Sequence, residues 1–218
     1  MVDELVTKSE FPWVFTKLNL IWFLSFISTI PGDHETRSTY LWIYAAGVML
    51  AIFYSAGSVP LKYIGLGDLS VFMSFGPLLV IAGAYCSCVS ASLLSVEKIL
   101  LLTCPAAILV VAILHANNHR DLLVDAMNNA KTVSVRLGDK NSYNYYKFLL
   151  LSPVILNVWA GWSGIERGAM LGSLIAPMSI RLIKLVQERE KIPRDIDAET
   201  AKVMLVYGIL VSIGITLW

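Results

Sequence analysis

Three oxygen-bearing side chains recur at four-residue spacing near the middle of the chain: Asn117, Asp121 and Asp125. On a continuing helix they would form one stripe, because residues four apart share a helix face. Two carboxylates and an amide oxygen suit Mg²⁺, which takes one or two protein carboxylates and completes its octahedron with phosphate oxygens and water. The alternative is a solvated amphipathic helix beyond a membrane span, although two carboxylates at this spacing repel each other without a cation.

Basic side chains accompany this aspartate stripe. Arg120 lies within it, and Lys131 and Arg136 follow it. These residues would add positive charge for a diphosphate. A tight loop with Gly and Pro covers 60–68, and its Lys62 could reach a phosphate.

The other polar residues in or beside apolar segments favour structural roles. Asp68 is expected to cap the helix after its loop through its carboxylate, in preference to a catalytic role. His115 and His119 have the spacing of a metal pair, but no glutamate occupies the zinc-protease position, and His119 is expected to face the polar loop. Cys86 and Cys88, two residues apart, would not face each other on a helix and favour small buried roles.

The composition indicates which elements must position these residues. Of 218 residues, 56% are hydrophobic and 15% are charged, against about 25% charged in a soluble domain. The 17 basic and 16 acidic residues nearly cancel, which gives no reason to expect nucleic-acid binding, since that needs a concentrated basic face. A spanning helix needs about 20 apolar residues. Such segments predict an all-α, polytopic transmembrane bundle of about seven spans, at 13–30, 40–59, 69–91, 99–114, 143–162, 169–186 and 201–218.

The loop charges predict the orientation of this bundle. Lys and Arg are concentrated in the N-terminal segment and in the loops 60–68, 117–142 and 187–200, which lie on one side of a seven-span chain. The basic residues on the other side are Arg37, Lys98 and Arg167. The positive-inside rule therefore places the three loops together in the cytoplasm.

Four runs, in this order, carry a family resemblance. They are YIGLGDL at 63–69, SFGPL at 74–78, LHANNHRD at 114–121 with Asp125, and VRLG at 135–138. They closely resemble the UbiA superfamily of intramembrane prenyltransferases. Within it they look most like the menaquinone branch of bacterial dihydroxynaphthoate polyprenyltransferases and their animal relatives. The resemblance covers nearly the whole chain, and the aspartate run and the glycine loop are specific in combination.

The resemblance implies an all-helical bundle of nine spans around a cavity open to lipid. Two aspartate-rich motifs on its cytoplasmic side hold Mg²⁺ and the prenyl diphosphate, and this chain matches the second. The implied metal ligands are Asn117, Asp121 and Asp125. The implied diphosphate-binding residues are Lys62, Arg120, Lys131 and Asn118. The implied catalytic residues are Asp121, Asp125 and Tyr54, with Tyr54 facing the allylic cation.

The implied reaction transfers a polyprenyl chain from its diphosphate to a naphthoquinol-type ring, with Mg²⁺ as cofactor, and leads to menaquinone. The implied partners are polyprenyl diphosphate, an aromatic quinol precursor, the lipid bilayer and, as an open option, another membrane protein. The implied location is the ER, Golgi or mitochondrial membrane of a eukaryote or the inner membrane of a bacterium, with the site loops cytoplasmic. The alternatives are an inactive relative that binds quinone, lipid or a partner membrane protein, and an unrelated seven-span receptor or transporter.

Two departures from the family pattern bear on activity. Ala126 and Ala130 stand where members usually have an arginine and a glycine. The first aspartate-rich motif is absent, so the segments correspond to the last seven of nine spans, and 1–218 is interpreted as one N-terminally truncated domain. Asp195 and Asp197 lie on an ordinary solvated loop and are not expected to replace that motif. A fragment of an active enzyme is favoured over a short isoform or an inactive paralogue.

Overall fold

The computed structural model describes residues 34–55, 60–87 and 95–217, together with Lys17. These ranges contain helices and no strand, which confirms the predicted all-α class. The α-helices are α1 (His34–Ser55), α2 (Gly67–Met73), α3 (Leu79–Ser87), α4 (Val96–Arg120), α5 (Leu122–Met127), α6 (Val133–Trp162), α7 (Ala176–Val186) and α8 (Ile196–Leu217). Short 3₁₀ segments cover Leu61–Tyr63, Arg167–Ile175 and Arg189–Lys191, and a π-helical turn covers Ser74–Leu78.

Five of the predicted spans coincide with helical segments long and apolar enough to cross a membrane. They are Arg37–Ser55, Gly67–Ala84, Val96–Arg120, Arg167–Val186 and Ile196–Leu217. Helix α6 is kinked at Gly138, whose φ of +72° and ψ of 170° are not helical. Its longer part contains the predicted span 143–162, but it is less apolar than these five. The predicted span 13–30 lies outside the described residues. The polytopic membrane bundle expected from the sequence is confirmed.

The core lies where α4, α6, α7 and α8 meet. Leu109, Tyr146, Leu150, Ile175 and Val203 are buried there. Large apolar side chains that point outward include Phe53, Phe148, Ile155 and Leu205. An outer surface of this kind fits a lipid environment better than water.

A bend between α2 and α3 follows from a Gly-Pro pair. Pro77 has no N–H to complete the hydrogen-bond ladder, and the helix widens to a π turn around it. Gly76 has φ −100° and ψ −105°, and a Cβ atom on it would stand 2.9 Å from the Ala107 Cβ. The absence of a side chain at Gly76 therefore allows this segment to approach α4 closely.

Three polar segments meet at one end of the bundle, as the loop charges predict. The Lys131 N–H donates to the Tyr63 carbonyl at 3.1 Å and joins the segment after α5 to the loop before α2. Arg120, at the end of α4, donates to the Arg194 carbonyl just before α8. These loops therefore share one face, and the side of the membrane that they face stays a prediction.

Candidate active site

The aspartate stripe lies across the junction of α4 and α5. Helix α4 ends at Arg120, Asp121 has φ −89° and ψ 6°, and α5 begins at Leu122. The expectation of one uninterrupted helix is therefore wrong at Asp121, whose ψ near zero separates the two helices. Backbone hydrogen bonds from Asp121 N to Asn117 O at 3.0 Å and from Asp125 N to Asp121 O at 2.9 Å still preserve the four-residue repeat.

The Arg120 guanidinium joins the stripe to the loop before α8. Its Nε and Nη2 donate to the two carboxylate oxygens of Asp121 at 2.8 and 2.9 Å. Nη2 also donates to Asn117 Oδ1 at 2.5 Å, and Nη1 donates to Asp197 Oδ1 at 3.1 Å. The amide oxygen of Asn117 and carboxylate oxygens of Asp121 and Asp197 thus surround one positive charge. Amide and carboxylate oxygens are also the ligands that a hard metal cation binds.

This donor set fits Mg²⁺, the cation that the resemblance implies. One oxygen of Asn117 and one of Asp121 bind the same nitrogen, Arg120 Nη2, so both are directed at one positively charged position. Asp125 is held separately, because Thr132 Oγ1 donates to its Oδ2 at 3.4 Å. Across the described ranges, no three His, Cys, Asp or Glu side chains form a group that could hold a metal. Diphosphate oxygens and water would therefore have to complete the coordination.

The charge on Asp125 is disfavoured by its surroundings. Burial raises the pKa of its carboxyl group, the hydrogen bond from Thr132 opposes that rise, and the charge of Asp121 adds to it. A nearby cation would offset the repulsion between the Asp121 and Asp125 carboxylates and so favour the charged form of Asp125. The stripe is therefore electrostatically suited to a divalent ion.

The lysines assigned to the diphosphate lie on loops that touch each other. Lys62 sits in the turn Leu61–Tyr63, with its Nζ 4.8 Å from the centroid of the Tyr63 ring. Lys131 is exposed, and its backbone is bonded to Tyr63 as described above. Asn118 is half-buried beside Asn117 on α4. The polar end thus carries two lysines outside the ion-pair network of Arg120.

Glycine at position 65 allows the Lys62 loop to contact the start of α6. Gly65 has φ +76°, a conformation that favours glycine, and a Cβ atom on it would overlap the Arg136 side chain. Arg136 Nε in turn donates to the Lys131 carbonyl at 3.3 Å. The glycine loop and the VRLG run are therefore in direct contact, although they are far apart in sequence.

An apolar groove of about 760 Å³ lies between α1 and the α2–α3 segment. Its wall includes Val48, Tyr54, Val71, Phe75 and Leu79. A volume of this size is within the usual range of small-molecule sites. Tyr54 comes from the end of α1 nearest the Lys62 loop, so its ring lies between apolar surroundings and the polar end.

A chain of buried polar side chains connects α2, α4 and α6. Asp68 Oδ2 lies 3.1 Å from His115 Nδ1, and His115 Nε2 lies 3.1 Å from both the carbonyl and the hydroxyl oxygen of Ser142. Ser142 Oγ is also 2.7 Å from His119 Nδ1. All four residues are buried.

Two sequence-based expectations are wrong here. Asp68 does not cap its helix, because α2 begins at Gly67 with Leu66 as the cap residue and the Asp68 carboxylate is turned inward to His115. His119 does not face the polar loop, because Ser142 on α6 gives its ring a buried hydrogen-bond partner.

Comparison with known proteins decides the family. The model of the UbiA prenyltransferase family matches residues 14–208, which is most of the chain. The chain belongs to the UbiA prenyltransferase family. The matched range contains the stripe, the Lys62 loop and the buried histidines, so all of them are parts of the UbiA domain.

The names of similar proteins agree with the menaquinone branch that the motifs resemble. UbiA prenyltransferase domain-containing protein 1 of Dictyostelium discoideum is 34% identical over 173 residues, 79% of this chain and 51% of that protein. The protein of the same name in Danio rerio is 33% identical over 197 residues, 89% of this chain and 54% of that protein. The 1,4-dihydroxy-2-naphthoate octaprenyltransferase of Escherichia coli is 33% identical over 182 residues, 82% of this chain and 58% of that protein. The chain spans about half the length of the curated relatives it matches.

Sequence reasoning about the UbiA motifs missed two features of the site. The first is the hydrogen-bonded group of Asp68, His115 and Ser142, although an ionisable residue within a membrane span indicates a functional site by default. His115 follows a long apolar run, so the sequence already indicated that it is an ionisable residue within a span. The contact between Arg120 and Asp197 joins residues 77 positions apart, and no local pattern indicates it.

Proposed function

We propose that this UbiA domain takes part in Mg²⁺-dependent transfer of a polyprenyl chain from its diphosphate to a naphthoquinol-type ring in menaquinone synthesis. The observation that carries the proposal is the convergence of Asn117 and Asp121 oxygens on one positive charge, at the polar end of a membrane bundle. The E. coli relative is named for transfer to 1,4-dihydroxy-2-naphthoate, which supports an acceptor of this class.

In this proposal the residues of the site have different roles according to where they lie. Magnesium bound by Asn117 and Asp121 would supply the positive charge that favours departure of the diphosphate. Lys62 and Lys131 bind the diphosphate as point charges from the adjoining loops. The Tyr54 ring offers its face to the allylic cation, since aromatic faces attract positive charge.

The apolar groove serves the prenyl chain in this proposal. Its wall is built from side chains such as Val71, Phe75 and Leu79, which bind hydrocarbon and exclude water. Exclusion of water protects an allylic cation from hydrolysis. In this proposal the site loops face the cytoplasm, and residues 1–218 form one UbiA-like domain.

A second candidate is a UbiA-type protein that binds quinone, lipid or a partner membrane protein without catalysis. One observation favours it: the Arg120 guanidinium already engages both Asn117 and Asp121. In a permanently non-catalytic protein this internal cation would replace the metal.

A prenyl transfer assay in lipid nanodiscs tests the proposal. It contains Mg²⁺, geranylgeranyl diphosphate and a panel of naphthoquinols, with the chain as given and with any upstream coding sequence added. We expect product in at least one form and a loss of at least about 100-fold in Asp121→Asn, because charge stabilisation at a reacting centre is worth that much. Glu166→Gln is the matched acid-to-amide control, since Glu166 pairs with Lys98 at the opposite end of the bundle. Absence of product in both forms would favour the non-catalytic candidate.

A further inference from the structure

The buried Asp68 carboxylate has one oxygen whose hydrogen-bonding capacity is unused. Within the described residues, Asp68 Oδ1 is inaccessible to solvent and has no hydrogen-bond partner, whereas its Oδ2 is bonded to His115. Asp68 is 4% exposed and His115 is fully buried. A buried carboxylate oxygen without a donor is costly, and in a membrane span such a group indicates function.

The hydrogen bonds around His115 hold its ring in one orientation. Nδ1 faces Asp68, and Nε2 faces both oxygens of Ser142. When Ser142 Oγ–H donates to Nε2, the Nδ1–H donates to Asp68 Oδ2. Ser142 and His115 are then positioning residues that orient the carboxylate and leave Oδ1 ready to accept a proton.

Aromatic side chains lie around this carboxylate. The Tyr145 ring meets the His115 ring edge-on, with the centroids 4.7 Å apart. Tyr54 and Tyr145 are both close enough to interact electrostatically with Asp68. Ser70 and Val71, on the same helix as Asp68, line the apolar groove with Tyr54. An aromatic ligand in the groove would contact the Tyr54 ring, and a movement of side chains that exposes Oδ1 would offer the ligand hydroxyl a proton acceptor.

We propose that Asp68 Oδ1, held in place by His115 and Ser142, accepts the proton of the ring hydroxyl of the aromatic acceptor. The inference rests on the proposed prenyl transfer and adds a site for the acceptor. Among the described residues, the titratable and charged groups around Asp68 and His115 are Tyr54, Tyr145 and His119, with Arg189 and Asp139 beyond His119.

The proton balance of this step is complete. The acceptor O–H bond breaks, its proton goes to Asp68 Oδ1, and the ring carbon gains electron density. That carbon bonds to C1 of the prenyl group while the C1–O bond breaks, and the diphosphate leaves with the electron pair. The ring carbon then loses its own proton to the diphosphate, and Asp68 returns its proton to the ring oxygen. The products are prenylated quinol and protonated diphosphate, and Asp68 is ionised again.

Acceptor acidity provides the first test. Asp68→Asn and His115→Gln are assayed with 1,4-dihydroxynaphthalene and with a fluorinated analogue whose hydroxyl is more acidic. We expect Asp68→Asn to lower kcat about 100-fold with the first acceptor, as loss of a general base does, with KM for geranylgeranyl diphosphate unchanged. The loss should shrink at least about tenfold with the acidic acceptor, because that hydroxyl depends less on a base. Equal losses with both acceptors would overturn the proposal. Ser179→Ala, a buried serine on α7, is the control for structural damage.

A binding measurement tests the site without turnover. The probes are 1-naphthol and 1-methoxynaphthalene, which differ by the O–H donor, titrated into nanodiscs that hold the full chain. We expect about tenfold tighter binding of 1-naphthol, since a hydrogen bond to a charged group has that worth, and loss of this preference in Asp68→Asn. Equal affinities in the unsubstituted chain would overturn the site. A preference in a chain that makes no product would support the site and contradict the proposed reaction.

Discussion

Arg120 and Asp121 form a bidentate ion pair, although they are neighbours in the sequence. Nε and Nη2 of Arg120 bind the two oxygens of Asp121 at 2.8 and 2.9 Å, and the same guanidinium also reaches Asn117 and Asp197. Arginine and Mg²⁺ would therefore compete for the same oxygens. A bound diphosphate would resolve this competition, because it offers the guanidinium another anionic partner.

The competition predicts that Arg120→Gln strengthens the binding of Mg²⁺ alone. An exposed ion pair is worth up to about 1 kcal/mol, so we expect the apparent dissociation constant to fall by up to about fivefold. The increase in Tm on adding Mg²⁺, measured without diphosphate, gives this constant. Arg189→Gln is the control, because Arg189 binds Asp139 and the His119 carbonyl and touches neither Asn117 nor Asp121. Weaker Mg²⁺ binding in Arg120→Gln would show that the arginine supports the metal site.

The raised pKa of Asp125 predicts a pH-dependent gain from Asp125→Asn. A carboxyl group whose pKa is raised by folding stabilises the folded state at low pH, and this contribution is lost as pH rises through the folded pKa. At pH 7 without Mg²⁺ we therefore expect Asp125→Asn to have a higher Tm than the unsubstituted chain. Near pH 3.5 the difference should vanish, because the carboxyl is then largely protonated in both states. A gain of equal size at both values would assign the effect to packing instead of charge.

Structure follows the sequence most closely where local pattern decides it. Apolar length predicts spans that overlap α1, α4 and α8, and the loop charges predict that the polar segments meet. The role of Asp68 is not predicted correctly, because capping is the usual local role of aspartate near a helix start, whereas its observed partner His115 lies 47 residues away. Which helix faces which is a property of the packed bundle, and the spacing within one segment does not contain it.

Substitution of Gly65 by alanine is expected to have two effects, backbone strain and displacement of the Arg136 side chain. Alanine there would be strained by φ +76°, at about 1–2 kcal/mol, and its Cβ would also displace the Arg136 side chain. Gly138→Ala is the comparison without a steric neighbour, since Gly138 has φ +72° and nothing within 4 Å of an added Cβ, although its ψ of 170° adds backbone strain of its own. We expect both variants to lose stability on heating.

The second effect of Gly65→Ala should appear in substrate binding. Displacement of Arg136 would shift the loop that carries Lys62, so KM for geranylgeranyl diphosphate should rise in Gly65→Ala. In Gly138→Ala it should stay near the unsubstituted value. Similar KM values in the two variants would contradict a link between this contact and diphosphate binding.

Gly168 and Gly214 lie at a close backbone approach between α8 and the segment before α7. A Cβ atom on either glycine would overlap backbone atoms of the other, and backbone cannot move aside as a flexible side chain can. Small residues allow such crossings between membrane helices. We therefore expect Gly214→Ala to cost about 1–3 kcal/mol or more, as overpacking does. Gly208→Ala, on the same helix with nothing within 4 Å, should instead be neutral or stabilising by up to about 1 kcal/mol. The fraction of protein that stays monodisperse after heating in detergent measures both, and equal stability of the two variants would show that this crossing is not close-packed.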